Sequence, residues 1–147
     1  MITLEETIQI DRPVQEVYDY VVNVENTQKW QPAVIEVKRV TEGPIRVGTK
    51  FSEVAMMMRR RIHSTCEITQ LEPNKTIAFK GTSDGPMEYQ TTYTLVASND
   101  ATRLHIVGSF RTKGLWRLLE PILKGEVRSQ SRHELTAMKA MIEARTL

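Results

Sequence analysis

Histidine is the first place to look for chemistry, because it alone titrates near neutrality without help from its surroundings. His63 lies four residues from Glu67, a spacing that puts both on one face of a strand and would let the carboxylate orient a general base. The same face carries Arg61 and Thr65, so it reads as the outer, solvated one. His105 alternates out of phase with Leu104 and Ile106, and His133 lies in a polar stretch, so both read as solvent-facing. The single cysteine, Cys66, falls on the apolar side of its strand and reads as a small buried hydrophobe rather than a nucleophile. Of the polar groups expected to face inward, Tyr89, Tyr93, Ser64, Thr91 and Arg39 are the candidates; a tyrosine hydroxyl beside an arginine would stabilise developing negative charge in a dry site. No Gly-rich phosphate loop, Gly-x-Ser-x-Gly elbow or His-Glu-x-x-His pair occurs, which sets aside the usual kinase, dehydrogenase and hydrolase readings. One cysteine also excludes an internal disulfide, and no Cys/His spacing fits a zinc site, so neither metal nor cofactor is expected.

The elements that would position these groups follow from periodicity. Pro13 suits the first position of a helix, and Val14, Val17, Tyr18, Val21 and Val22 fall on one face of it. A long region of alternating strands, 33–112, comes next, and then a final helix over 115–144. In the first of these strands Ile35, Val37 and Arg39 are in phase, opposite Glu36 and Lys38. The strand over 51–58 is mostly apolar on both faces, so alternation assigns it no register. Arg59, Arg60 and Arg61 read as a hairpin connection, after which Ile62, Ser64, Cys66 and Ile68 share the inner face. A short strand over 76–80 contains Phe79, and the next alternates Tyr89, Thr91, Tyr93 and Leu95 with polar residues. The last places Leu104, Ile106, Gly108 and Phe110 on one side. Turn residues between neighbours make every pair antiparallel, which suits one curved sheet.

The final helix carries two apolar groups, one containing Leu115, Leu118, Leu119, Ile122 and Leu123, the other Leu135, Met138, Met141 and Ile142. Their centres do not align on one wheel, so a bend or break is expected near 121–125, where Pro121 and Gly125 weaken a helix interior. Residues 1–100 carry 11 Lys/Arg against 14 Asp/Glu, whereas 101–147 carry 9 against 4. Arg117, Lys124, Arg128, Arg132 and Lys139 form one stripe on an ideal helix, either a solvated face or a surface for an anionic membrane or macromolecule.

The 147 residues are 40% hydrophobic and 26% charged, the composition of one globular domain over 1–147. No stretch reaches the roughly 20 apolar residues of a membrane span, and 1–10 is too acidic and alternating for a secretory signal, so a cytoplasmic protein is expected.

This order of elements, with IDRPVQEV at 10–17, WQP at 30–32, VGT at 47–49, ITQLEP at 68–73 and LTAMKAMIE at 135–143, resembles the START/Bet v 1-like helix-grip superfamily, and in particular its polyketide cyclase/dehydrase (SRPBCC) type. The resemblance spans almost the whole chain. It implies an α+β fold in which a curved antiparallel sheet of about seven strands wraps around a long C-terminal helix, with two short helices after the first strand. It also implies a hydrophobic ligand held between sheet and helix. Only 6% of residues are aromatic and the inferred inner faces include small residues, which leaves room for such a cavity. The methionines, among them Met56, Met57, Met58, Met87, Met138 and Met141, would either plug that room or line it. The expected lining is Ile35, Val37, Arg39, Ser64, Cys66, Ile68, Phe79, Tyr89, Thr91, Tyr93, Ile106, Gly108, Phe110, Leu119 and Leu123. Three functions follow in order: a carrier of a small hydrophobic or lipid-like ligand, a polyketide cyclase/dehydrase-like enzyme, and an interaction protein using its basic helix on an anionic surface. DNA is not an expected partner, and nothing in the sequence speaks to oligomeric state.

Overall fold

Ile2–Ile10 forms β1, the edge of a seven-stranded antiparallel sheet in the order β1-β7-β6-β5-β4-β3-β2. The computed structural model of the chain describes residues 2–57, 59–83, 87–112 and 114–144, with the backbone alone at residues 57, 87, 116 and 126. The other strands are β2 (Val34–Arg39), β3 (Lys50–Met57), β4 (Arg60–Glu72), β5 (Thr76–Ser83), β6 (Met87–Ser98) and β7 (Ala101–Thr112). The chain is an α+β helix-grip fold, as its order of elements implied. The sequential meander β2 to β7 explains the order: a loop over 40–49 joins β2 to β3, shorter connections join the later antiparallel neighbours, and β1 completes the edge beside β7.

Helix α1 spans Val14–Val22, followed by a 3-10 turn at Val24–Asn26 and the single-turn α2 at Thr27–Trp30. Pro13 stands one residue earlier than expected, as the cap, where its carbonyl accepts the first helical hydrogen bonds from Glu16 and Val17. Val17, Tyr20, Val21 and Val22 are buried, while Val14 and Tyr18 pack at the core's margin.

The C-terminal segment differs from expectation at its start. Residues Gly114–Leu119 form a 3-10 helix, and α3 proper is Glu120–Glu143. Pro121 therefore lies in the first turn of α3, where a missing N–H costs nothing, and the discontinuity falls just before it. The first apolar group does not close the core: Leu115, Leu118 and Ile122 are 85%, 79% and 70% exposed, and only Leu123 of that group is buried. Of the second group Leu135, Met138 and Ile142 are buried as read, but Met141 is 44% exposed. The far end of α3 is clasped to β1: Arg12 donates to the Glu143 carbonyl at 2.7 Å, the Asp11 N–H to the Glu143 carboxylate at 2.7 Å, and Lys139 to both that carboxylate and the Gln9 carbonyl. These contacts hold the half-buried Glu143 carboxyl below its ordinary pKa, the Asp11 N–H contributing most.

The core lies between α1, the C-terminal half of α3 and the strands they face, with Phe51, Ile68, Ile77, Leu104, Met138 and Ile142 at its centre. Towards the N-terminal half of α3 the large apolar residues run out, and the two layers no longer fill the space between them.

Candidate functional site

That unfilled space is a cavity of about 270 Å³, open on one side, bounded by the sheet, α2 and α3. Its origin is local. On the sheet side the walls are short side chains, Ala55 on β3, Ser64 and Cys66 on β4 and Thr91 on β6; on the helix side α3 presents Val127, Gln130, Ser131 and Glu134 where a core helix would present leucines. Neither layer reaches the other. Phe79, Tyr89, Tyr93 and Phe110 supply the larger walls, Phe79 meeting Tyr93 edge-on with ring centroids 5.9 Å apart. A smaller hollow of about 80 Å³ adjoins it, sharing Thr91, Tyr93, Phe110 and Glu134 and adding Glu6, Ile106 and Gly108.

Of the residues expected to line the space, Ser64, Cys66, Phe79, Tyr89, Thr91, Tyr93 and Phe110 border the main cavity and Ile106 and Gly108 the smaller hollow. Six lie elsewhere. A bulge in β2 between Val34 and Glu36 shifts the pleat, so that Val34 and Val37 are buried and Ile35 points out, 40% exposed. Arg39 ends that strand in solvent and donates to the Gly43 carbonyl at 2.9 Å, far from any role opposite a tyrosine. Val37 and Ile68 are in the packed core, Leu123 is buried without bordering the cavity, and Leu119 is partly exposed because the 3-10 turn carries it off the α3 face. No methionine with a described side chain lines either space, and Met138 is wholly buried core. Met57 and Met87 side chains, and Met58 as a whole, lie outside what is described.

Two carboxyl groups inside the cavity escaped the sequence reading. Glu53 sits on the inner face of β3, opposite Ser64 in register, and accepts a hydrogen bond from the Tyr89 hydroxyl at 3.4 Å. Burial pushes its pKa up, and that hydrogen bond only partly offsets the rise. Glu134, one turn before Met138 on α3, is pushed up to about 7 by desolvation. Burial also raises both phenols and drives the Cys66 thiol to about 12. An un-ionised thiol is a poor nucleophile. Cys66 is therefore expected to resist alkylation at neutral pH in the folded protein and to react at the ordinary rate on unfolding; iodoacetamide labelling followed by intact mass checks this, and rapid labelling of the native protein would contradict it.

Tyr89 owes its position to Gly81, its cross-strand partner. A Cβ on Gly81 would lie 2.0 Å from Cε1 and 2.2 Å from Cζ of the Tyr89 ring, so the ring lies flat across the glycine and reaches Glu53.

The histidines are all outside the site. His63 and His133 are exposed, and His105 contacts Thr7 and Glu5 on the outer face of β1 and β7. The basic stripe is not one surface: Arg117 belongs to the 3-10 turn, which advances about 120° per residue rather than 100°, Arg132 lies 3.7 Å from Glu6, and Lys139 is spent on the β1 clasp. Lys124 and Arg128 are exposed. Among the described residues no cluster of side chains could hold a metal ion, and no helix is long and apolar enough to cross a membrane.

Residues 1–143 match the family model described as polyketide cyclase / dehydrase and lipid transport. The chain belongs to that family. Among solved structures it is similar to a START superfamily protein from Mycobacterium smegmatis, at 13% identity over 98% of this chain and 99% of the other, with a TM-score of 0.82. It is also similar to the Zhui aromatase/cyclase from Streptomyces sp. R1128, at 17% identity over 97% and 94%, TM-score 0.80. A third likeness is to the di-domain ARO/CYC BexL of the BE-7585A biosynthetic pathway, at 24% identity over 97% of this chain and 47% of that one, TM-score 0.75. At these identities the structural likeness is one of fold. No curated protein sequence matches the chain.

Proposed function

We propose that this member of the polyketide cyclase/dehydrase and lipid transport family binds a small molecule with an apolar body in the cavity between its sheet and α3, and works as a carrier for it. The observation that supports this reading is the unfilled space itself: natural interiors are close-packed, and about 270 Å³ left open among apolar walls is close to the roughly 300 Å³ at which small-molecule sites begin. Glu53, Tyr89, Tyr93 and Glu134 give the ligand's polar end its partners. The cyclase side of the family's name would use the same space, with the near-neutral Glu134 exchanging a proton with a bound carbonyl compound. A free buried cysteine fits a reducing compartment, the cytoplasm. Native mass spectrometry of gently desalted protein is expected to show a small-molecule adduct that excess neutral amphiphile displaces; protein that carries no adduct and takes up none of a panel of apolar compounds would overturn the carrier reading.

The exposed Leu115, Leu118 and Ile122 favour one further element of this reading. They stand beside Arg117 and Lys124, an apolar patch with basic flanks of the kind that seats at an anionic bilayer surface. Co-sedimentation with phosphatidylserine vesicles at low salt is expected, weakened by Leu118→Ser and by raised salt; equal retention of wild type and variant would remove this element.

A further inference from the structure

The lining of the cavity has one sign. Every ionisable side chain that borders it among the described residues is an acid: Glu53 from β3, Glu134 from α3, the Cys66 thiol from β4, and the phenols Tyr89 and Tyr93 from β6. The adjoining hollow adds Glu6 from β1, which faces Arg132 at 3.7 Å. Among the described residues no lysine, arginine or histidine borders either space, and Arg39, the cation expected at a polar end, lies outside. Two polar groups there have no hydrogen-bond partner among the described residues. The carboxyl of Glu134 makes no hydrogen bond or ion pair with any described residue. The Tyr93 hydroxyl, on a side chain only 8% exposed that borders both spaces, makes no hydrogen bond either.

These groups discriminate by charge. An anionic head group entering this space would meet two carboxyls and no countercharge in a poorly solvated site, where like charges repel far more than in water. A hydroxyl could donate to Glu134 and accept from Tyr93, so an alcohol satisfies both open positions. A protonated amine donates to the same carboxylate and gains its opposite charge, with the Glu53 carboxyl a further acceptor on the facing wall. Building on the carrier reading, we propose that the cavity selects amphiphiles by head group, taking protonated primary amines best, alcohols less well, and rejecting carboxylates, with Glu134 as the principal acceptor and Glu53 on the facing wall.

Displacement of the neutral fluorophore N-phenyl-1-naphthylamine by decylamine, decanol and decanoate, each below its micelle concentration, tests this with the full chain at about pH 8, where the amine and the carboxylate are both charged. Decylamine is expected to displace at about ten-fold lower concentration than decanoate, with decanol between them. In Glu134→Gln the amine and carboxylate should come within about three-fold of one another, with decanol shifting less than decylamine because the amide oxygen still accepts from its hydroxyl, and Glu53→Gln should narrow the gap in the same direction. Decanoate competing as well as decylamine against the wild type would overturn the head-group preference and leave the carrier reading standing. If neither the fluorophore nor any of the three compounds binds, the carrier reading fails and the preference with it.

Discussion

Gly81→Ala is expected to lower stability by about 1–3 kcal/mol and to dismantle one wall of the cavity. The added methyl would occupy the place of the Tyr89 ring, with its Cβ 2.0 Å from Cε1. The ring is not free to swing aside at no cost, since its hydroxyl donates to Glu53 and its face tilts against Phe110 with centroids 6.3 Å apart. Moving it breaks the Glu53 contact and leaves a buried carboxyl unpaired. Denaturant unfolding of Gly81→Ala, Tyr89→Ala and the double variant separates this cause from a general strand effect. Once the ring is gone the methyl has nothing to strike, so the double variant should be less destabilised than the two single changes together, by about 1 kcal/mol or more. Strict additivity would show that Gly81 matters for some reason other than the ring above it.

Glu134→Gln is expected to stabilise the protein at alkaline pH. In the unfolded chain this carboxyl titrates near 4.5, and in the folded protein near 7. Between those values the unfolded state binds fewer protons than the folded one, so stability falls as pH rises across that window. Below it both states are protonated and wild type and variant should be equally stable. Above it the wild type holds a poorly solvated carboxylate that the amide does not. Allowing for partial solvent screening, the variant should gain on the order of 1–2 kcal/mol at about pH 8 and show a shallower decline between the two pKa values. Glu53, whose pKa is also raised by burial, remains in the variant and contributes a residual slope of the same sign. Thermal or denaturant unfolding at a series of pH values measures both effects; a variant less stable than wild type at every pH would mean that Glu134 makes a favourable contact instead of bearing a desolvation cost.

Much of the site was legible because period-two alternation speaks plainly where only one face is apolar. Ser64, Cys66 and Ile68 on β4, and Tyr89, Thr91 and Tyr93 on β6, face inward as their alternation required. The bulge in β2 is not legible: one inserted residue reverses the pleat, and nothing in the residue types of that strand marks it, so alternation alone places Ile35 inward in place of Val34. Glu53 was hidden for a related reason. Both faces of β3 are largely apolar, which removes the contrast that sets register, and only its pairing of Phe51 with Cys66 and Glu53 with Ser64 fixes the orientation. Glu134 does carry a sequence signal, for it stands seven residues after Val127 and four before Met138, in phase with the buried side of α3. The leucines before α3 misled through geometry, because Leu115 and Leu118 follow α-helical spacing but fold into a 3-10 turn that carries them into solvent. Gly81 offered no clue, since the close approach of a ring to its backbone is a property of the pairing with β6 alone.

Most of the functional account depends on the space between β4, β6 and α3 admitting an apolar molecule. Fluorescence titration with N-phenyl-1-naphthylamine, comparing the wild type with Ser131→Trp, measures that most directly, because Ser131 borders both spaces from the helix side and an indole there would occupy them. The expected result is saturable binding of one probe per chain by the wild type and its loss in a variant that unfolds as cooperatively as the parent. Absence of saturable binding by the wild type, or undiminished binding by the folded variant, would contradict it.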